Sequence, residues 1–199
     1  MLLFTLASCN KPSFDPTWLT EKAPETFTVR FETTKGDFEI TAKRSYSPNA
    51  VDRFYQLIKH DYYDNAIFYR VVPDFVAQFG NTDTSQMNQW RSQKIHDEPV
   101  LLSNAKGTVS FARDGAESRD LELFINLADN QKLDTLDFNG VRGFPAFAHV
   151  TKGIEIVESL YSGYGEETMA NYESMYSDRA LFYKNYPKLD LIEKAYLVD

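Results

Sequence analysis

The chain has 199 residues, 43% hydrophobic and 25% charged, with aromatics at 15% and a formal charge of -8. That length and balance describe one globular domain with a sizeable core, not a disordered or fibrous chain. The negative charge and the lack of a Lys/Arg stripe argue against nucleic acid as a partner, and a lone cysteine, Cys9, excludes an internal disulfide or a multi-cysteine metal site.

In chain order, Met1 to Ala7 is apolar apart from Thr5 and runs into Leu6-Ala7-Ser8-Cys9. This resembles the lipobox that ends a bacterial lipoprotein signal, in which the cysteine becomes the lipid-bearing first residue of the mature protein. A lipid on Cys9 would hold the domain at a membrane surface without spanning it. Only eight residues precede Cys9 and none is basic, so either the true start lies upstream or the match is fortuitous. Residues 1–8 are thus read as a signal-like segment, and 9–25 as the anchor cysteine with a tether of three prolines and no periodic pattern. The expected domain is 26–199. No later run reaches the roughly 18 apolar residues that a membrane span needs.

Phe27, Val29 and Phe31 alternate with polar residues, which predicts a half-buried strand. A turn at 34–37 returns the chain along 38–43. Ser47-Pro48 predicts a helix start with Ser47 as the cap, and Val51, Phe54, Tyr55 and Ile58 give 48–60 an amphipathic face. Residues 67–72 are a short strand stopped by Pro73-Asp74, and 81–99 are polar and irregular. The three histidines (His60, His96, His149) show no metal-ligand spacing, and His96-Asp97-Glu98 reads as a solvated loop, so no metal is expected. Strands are predicted at 108–112, 121–127 and 189–198, and a second helix after Gly153 from Ile154, Val157, Leu160 and Tyr161. Many short strands with two helices point to a mainly β protein, a closed β-barrel with helices at its ends.

Four blocks carry a more specific signal. Phe68-Tyr69-Arg70-Val71-Val72-Pro73-Asp74-Phe75-Val76-Ala77-Gln78-Phe79-Gly80 resembles the cyclophilin signature F-H-R-[IV]-[IV]-P-x-F-[MV]-x-Q-G-G. Residues 107–113, then 123–126 with Leu133-Asp134, then 147–150 with Gly153-Ile154, resemble further cyclophilin blocks in family order. Ala128-Asp129-Asn130 and Arg113 look like the bacterial branch. The resemblance implies a closed eight-stranded antiparallel β-barrel capped by two α-helices. It also implies peptidyl-prolyl cis/trans isomerase activity on proline-containing polypeptides, by a monomer without a cofactor. With the lipobox, it implies a protein of the bacterial cell envelope that assists the folding of exported proteins.

The chemistry explains the residues. The X-Pro amide has a rotation barrier of about 18–20 kcal/mol. In the twisted transition state the proline nitrogen gains lone-pair character, so a donor aimed at it binds that state better than the planar ones. Arg70 matches the family's principal catalytic residue, with a permanent charge and a planar set of donors. The resemblance gives Gln78 the task of orienting Arg70 and bonding the substrate backbone. It assigns Phe75, Val76, Phe124, Leu133 and Phe144 to the proline pocket, and Ala112 and Arg113 to the residue before proline. Several positions depart from the pattern. Glu122 stands where Gln is usual and is expected either to pair with Arg70 or Arg113 or to weaken the groove. Lys132 replaces an aromatic that contacts cyclosporin in the family, which predicts weak binding of that drug. Phe144 replaces His or Tyr, Phe79 a Gly, and Asp120-Leu121 a Gly-Ser. Residues 134–143 and a Tyr-rich acidic segment at 161–188 are extended relative to the family, the latter read as packing over the barrel end ahead of a rim that tunes substrates. A cyclophilin-fold peptide-binding module with little catalysis is the alternative. A carboxylate-pair hydrolase is the weakest, because no acidic pair sits in a recognisable context.

Overall fold

The computed structural model describes residues 13–81 and 84–198. Cys9 and the signal-like segment lie outside the described residues. Alternation of apolar and polar side chains builds the first hairpin, β1 (Thr26–Thr33) with β2 (Gly36–Lys43), and Phe27, Val29 and Phe31 bury one face. The turn between them needs Gly36 at φ 123°, a conformation side chains disfavour. Helix α1 (Pro48–Lys59) follows, burying Val51, Phe54, Leu57 and Ile58. Pro48 takes the first turn as predicted, but Ser47 does not cap with its side chain. Its hydroxyl donates to Glu98, and the Glu98 carboxylate accepts the N–H groups of Asn49 and Ala50 at 2.8 and 3.3 Å. A carboxylate from a distant loop thus takes orphan donors at the positive end of the helix.

The remaining elements are β3 (Ile67–Val72), β4 (Val76–Gly80), α2 (Thr84–Arg91), β5 (Thr108–Phe111), β6 (Leu123–Asn126), β7 (Asp137–Phe138), β8 (Val141–Arg142), β9 (Ala146–Lys152), α3 (Ile154–Glu158), α4 (Tyr172–Ser177), α5 (Arg179–Asn185) and β10 (Ile192–Val198). Eight strands form one antiparallel sheet in the order β10-β1-β2-β9-β5-β6-β4-β3, and β7-β8 is a separate hairpin.

The sheet curls into a half-barrel and does not close, which corrects the closed barrel expected from the sequence. Its edge strand β3 touches the residue just ahead of the other edge strand, β10, at an isolated bridge, Ile67 opposite Leu191. A register shift between Ile67 and Arg70 bends β3. Ile67 and Tyr69 are covered by Met175, Phe182, Tyr186 and Leu189 of the C-terminal segment, so that side is buried by packing instead of pairing. Inside the curl, Phe31 stacks on Phe38 at 4.9 Å, and Phe79 meets Phe68 at 5.2 Å and Tyr63 at 5.5 Å. The Phe79 departure is therefore a core substitution.

Two irregular stretches are ordered by specific contacts. Residues 84–91 form a helix whose Met87 and Trp90 are buried. His96-Asp97-Glu98 is a loop with His96 exposed, as read from sequence, but Asp97 and Glu98 are tied into contacts with buried side chains. His96 meets Glu117 at 2.6 Å, Asp97 accepts the Glu117 N–H and a bond from Arg113, and Glu98 pairs with fully buried Arg119 at 3.1 Å. From Phe14 onward the N-terminal segment lies on the domain. A 3-10 turn at Pro16–Thr20 stacks Trp18 on His60 at 3.9 Å, and Phe14 meets Trp90 edge-on at 5.1 Å. No helix among the described residues is long and apolar enough to cross a membrane, and no cluster among them is suited to a metal ion.

Candidate active site

The β3–β4 hairpin builds the centre of the site. Antiparallel register sets Arg70 opposite Gln78, and Gln78 Oε1 accepts a bond from Arg70 Nη1 at 3.0 Å. The Arg70 guanidinium sits 5.4 Å from the Phe75 ring centroid, within cation–π range. The next pairing sets Gln78 opposite Phe124 and Val76 opposite Asn126. The two-residue period sends Ala77 and Phe79 into the main core and leaves Val76 and Gln78 on the other face, in the groove.

Val76, Phe124 and Leu133 form a separate buried cluster, packed by Phe75, Ala112 and Phe144. Phe124 and Phe144 meet edge-on at 5.9 Å. The apolar floor opens into a groove of about 670 Å³, a size suited to a short stretch of peptide. Every residue predicted for the site lines this groove except Lys132, whose ammonium rests 4.9 Å from the Phe75 ring centroid. Arg113 has a fully buried side chain, sits 5.0 Å from the Phe144 ring centroid and donates to Asp97 at 3.2 Å.

A polar network that the sequence did not single out holds the pocket loops. Asp134 accepts bonds from the Ser103 hydroxyl at 2.5 Å and from the backbone and side-chain N–H groups of Asn104 at 2.8 Å. Asn104 also donates to the Phe144 carbonyl at 2.8 Å, and Asn130 to the Phe75 carbonyl at 2.8 Å. Burial works against the Asp134 carboxylate, but the Ser103 and Asn104 bonds outweigh it and hold its pKa below the ordinary 3.8.

Residues 28–177 match the family model for cyclophilin type peptidyl-prolyl cis-trans isomerase/CLD. The chain belongs to the cyclophilin family. It is 30% identical over 134 residues to a peptidyl-prolyl cis-trans isomerase of Acinetobacter baylyi, covering 66% of this chain and 70% of that one. It is 31% identical to peptidyl-prolyl cis-trans isomerase B of Escherichia coli, covering 66% and 82%. It is 32% identical to peptidyl-prolyl cis-trans isomerase-like 1 of Aspergillus niger, covering 66% and 80%. A crystal structure of a Cryptosporidium parvum cyclophilin shares the fold, with a TM-score of 0.62 over 87% of this chain and 98% of that one, at 20% identity. Membership makes the chain a peptidyl-prolyl cis-trans isomerase, an enzyme class that acts on proline-containing peptides.

Against the cyclophilin pattern, the main additions come from the segment 161–188. It packs on the outside of β3, and it also sends Glu166, Met169 and Tyr172 into the groove. Glu166 takes Arg70 in a two-pronged ion pair, Nε to Oε2 at 2.8 Å and Nη2 to Oε1 at 2.6 Å. Glu122 pairs with neither Arg70 nor Arg113, which corrects that expectation. Its carboxylate is almost fully buried and accepts bonds from the hydroxyls of Tyr69, at 2.6 Å, Tyr172 and Tyr176. Leu136 and Phe138, the latter on the β7–β8 hairpin, add exposed apolar surface to the rim. The only sequence signal for these additions is the extra length of 134–143 and 161–188.

Proposed function

We propose that Arg70 lowers the rotation barrier of an X-Pro bond whose proline ring sits among Phe75, Val76, Phe124, Leu133 and Phe144. As the amide twists, the nitrogen becomes an acceptor and Arg70 donates to it, a bond the planar ground states cannot form. Gln78 orients Arg70 and meets the substrate backbone, and Ala112 and Arg113 border the preceding residue. No bond to the protein forms or breaks, and no cofactor is needed.

The observation that carries this reading is a cation, held by its cross-strand partner Gln78, at the edge of an apolar cluster. The same proposal extends to place of action: a lipid on Cys9 would keep the enzyme at the bacterial envelope, with exported proteins as clients. Exchange of a proline peptide, followed by NMR with the full chain, tests the catalytic part. Arg70→Ala is expected to lower kcat/KM by on the order of 100-fold, the scale of losing one transition-state donor. A folded Arg70→Ala protein with wild-type exchange would falsify the assignment.

A further inference from the structure

Resting on that reading, we propose that Glu166 is a positioning residue for isomerisation, supplied by the C-terminal segment to hold the Arg70 guanidinium in its working orientation. An arginine side chain has five N–H donors on a long, flexible stem. Glu166 engages Nε and one N–H of Nη2, and Gln78 engages one N–H of Nη1. One N–H then remains on each terminal nitrogen, so the substrate is met by two donors of a group fixed on two sides. The Phe75 ring braces a face of the same guanidinium.

The carboxylate does not hang on a loose loop. It precedes the 3-10 turn Glu167–Asn171, and helix α4 then sends Tyr172 and Tyr176 to buried Glu122. Thr168 and Met175 are buried, and Asn171 donates to the Tyr186 hydroxyl at 2.6 Å. As a stabilising contact the pair counts for little, because the Glu166 side chain is 59% exposed and exposed ion pairs contribute weakly. What it changes is the geometry of the reacting donor, where small misplacements are amplified in rate.

The test compares wild type, Glu166→Ala, Glu166→Gln, Arg70→Ala and Glu166→Ala/Arg70→Ala in full-length protein, by NMR exchange that separates kcat from KM. Glu166→Ala is expected to lower kcat about fivefold with KM nearly unchanged, the scale of one exposed charge-assisted contact. Glu166→Gln, which keeps one acceptor oxygen, should fall between. In the Arg70→Ala background the Glu166 change should do nothing more, which separates a role through Arg70 from a general loss of structure. The Arg70 Nε–H resonance, identified by its disappearance in Arg70→Ala, should be protected from exchange in wild type and lose that protection in Glu166→Ala. An unchanged or raised kcat in Glu166→Ala, with Arg70→Ala still impaired, overturns the positioning role and leaves the isomerase assignment standing. A folded wild type that does not accelerate exchange sinks both.

Discussion

Glu122 has a carboxylate inside a ring of three tyrosine hydroxyls, and its ionisation belongs to the stability of the fold as much as to the groove. Burial pushes its pKa above the ordinary 4.5; the bonds from Tyr172, Tyr176 and Tyr69 oppose this only in part, and nearby Asp120 adds to the rise. The folded chain then holds this proton more tightly than the unfolded chain. Stability tied to Glu122 is therefore fully present below about pH 4.5 and declines as pH climbs from there through the raised folded-state value. Urea unfolding across that interval should show this decline in wild type and a shallower one in Glu122→Gln. Identical slopes would mean that the carboxyl is not the titrating group. The sequence exposes Glu122 as a departure from the family pattern but not its partners. An acid between Leu121 and Leu123, at the entry to the buried strand β6, announces a polar contact. Its three donors come from residues 53, 50 and 54 positions away, a separation no local spacing encodes.

At the scale of elements, the legible parts are those with a local cause. β1 shows as strict alternation and α1 as a helical stripe behind a Pro in its first turn. The groove residues on β3, β4 and β6 are legible because the signature fixes their order, and pairing then sets Arg70 against Gln78. β4 has no alternation to read, since all five of its residues are buried. Helices α4 and α5, six and seven residues long, are too short for a periodic signal. The open side of the sheet at β3 is covered by Met175, Phe182 and Tyr186, a long-range contact. The cap of α1 is another. Glu98 bonds the first turn and also neutralises Arg119, whose side chain is 0% exposed. Glu98→Ala therefore strips a helix cap and leaves a buried cation with a more distant partner, Asp97 at 3.8 Å. A loss of about 3 kcal/mol in urea unfolding is expected, the range for breaking a buried pair from one side. A loss under about 1 kcal/mol would show that the network re-forms around Asp97.

On the scale of the whole molecule, the docking of the N-terminal segment shapes what a lipid anchor would do. The sequence reads 9–25 as a tether, yet Phe14, Trp18 and Leu19 pack against the core, and Gln56 and Asp52 on α1 bind the backbone at Leu19, Glu21 and Ala23. Four residues separate Cys9 from Phe14, and the five chain steps between them reach at most about 18 Å at full extension. A lipid on Cys9 would hold the domain close against the surface. The formal charge of -8 gives no net attraction to an anionic membrane surface, so the lipid would be the main source of attachment. The full chain, produced in a bacterial host behind a basic, apolar export leader joined at Met1, is expected to take up an alkyne-bearing fatty acid and to pellet with membranes. Cys9→Ser should abolish both while the soluble protein keeps its isomerase rate, since the groove and its supports lie within residues 47–186. A wild-type chain that stays unlabelled and soluble would remove the anchor and the envelope from the account and leave the enzyme untouched.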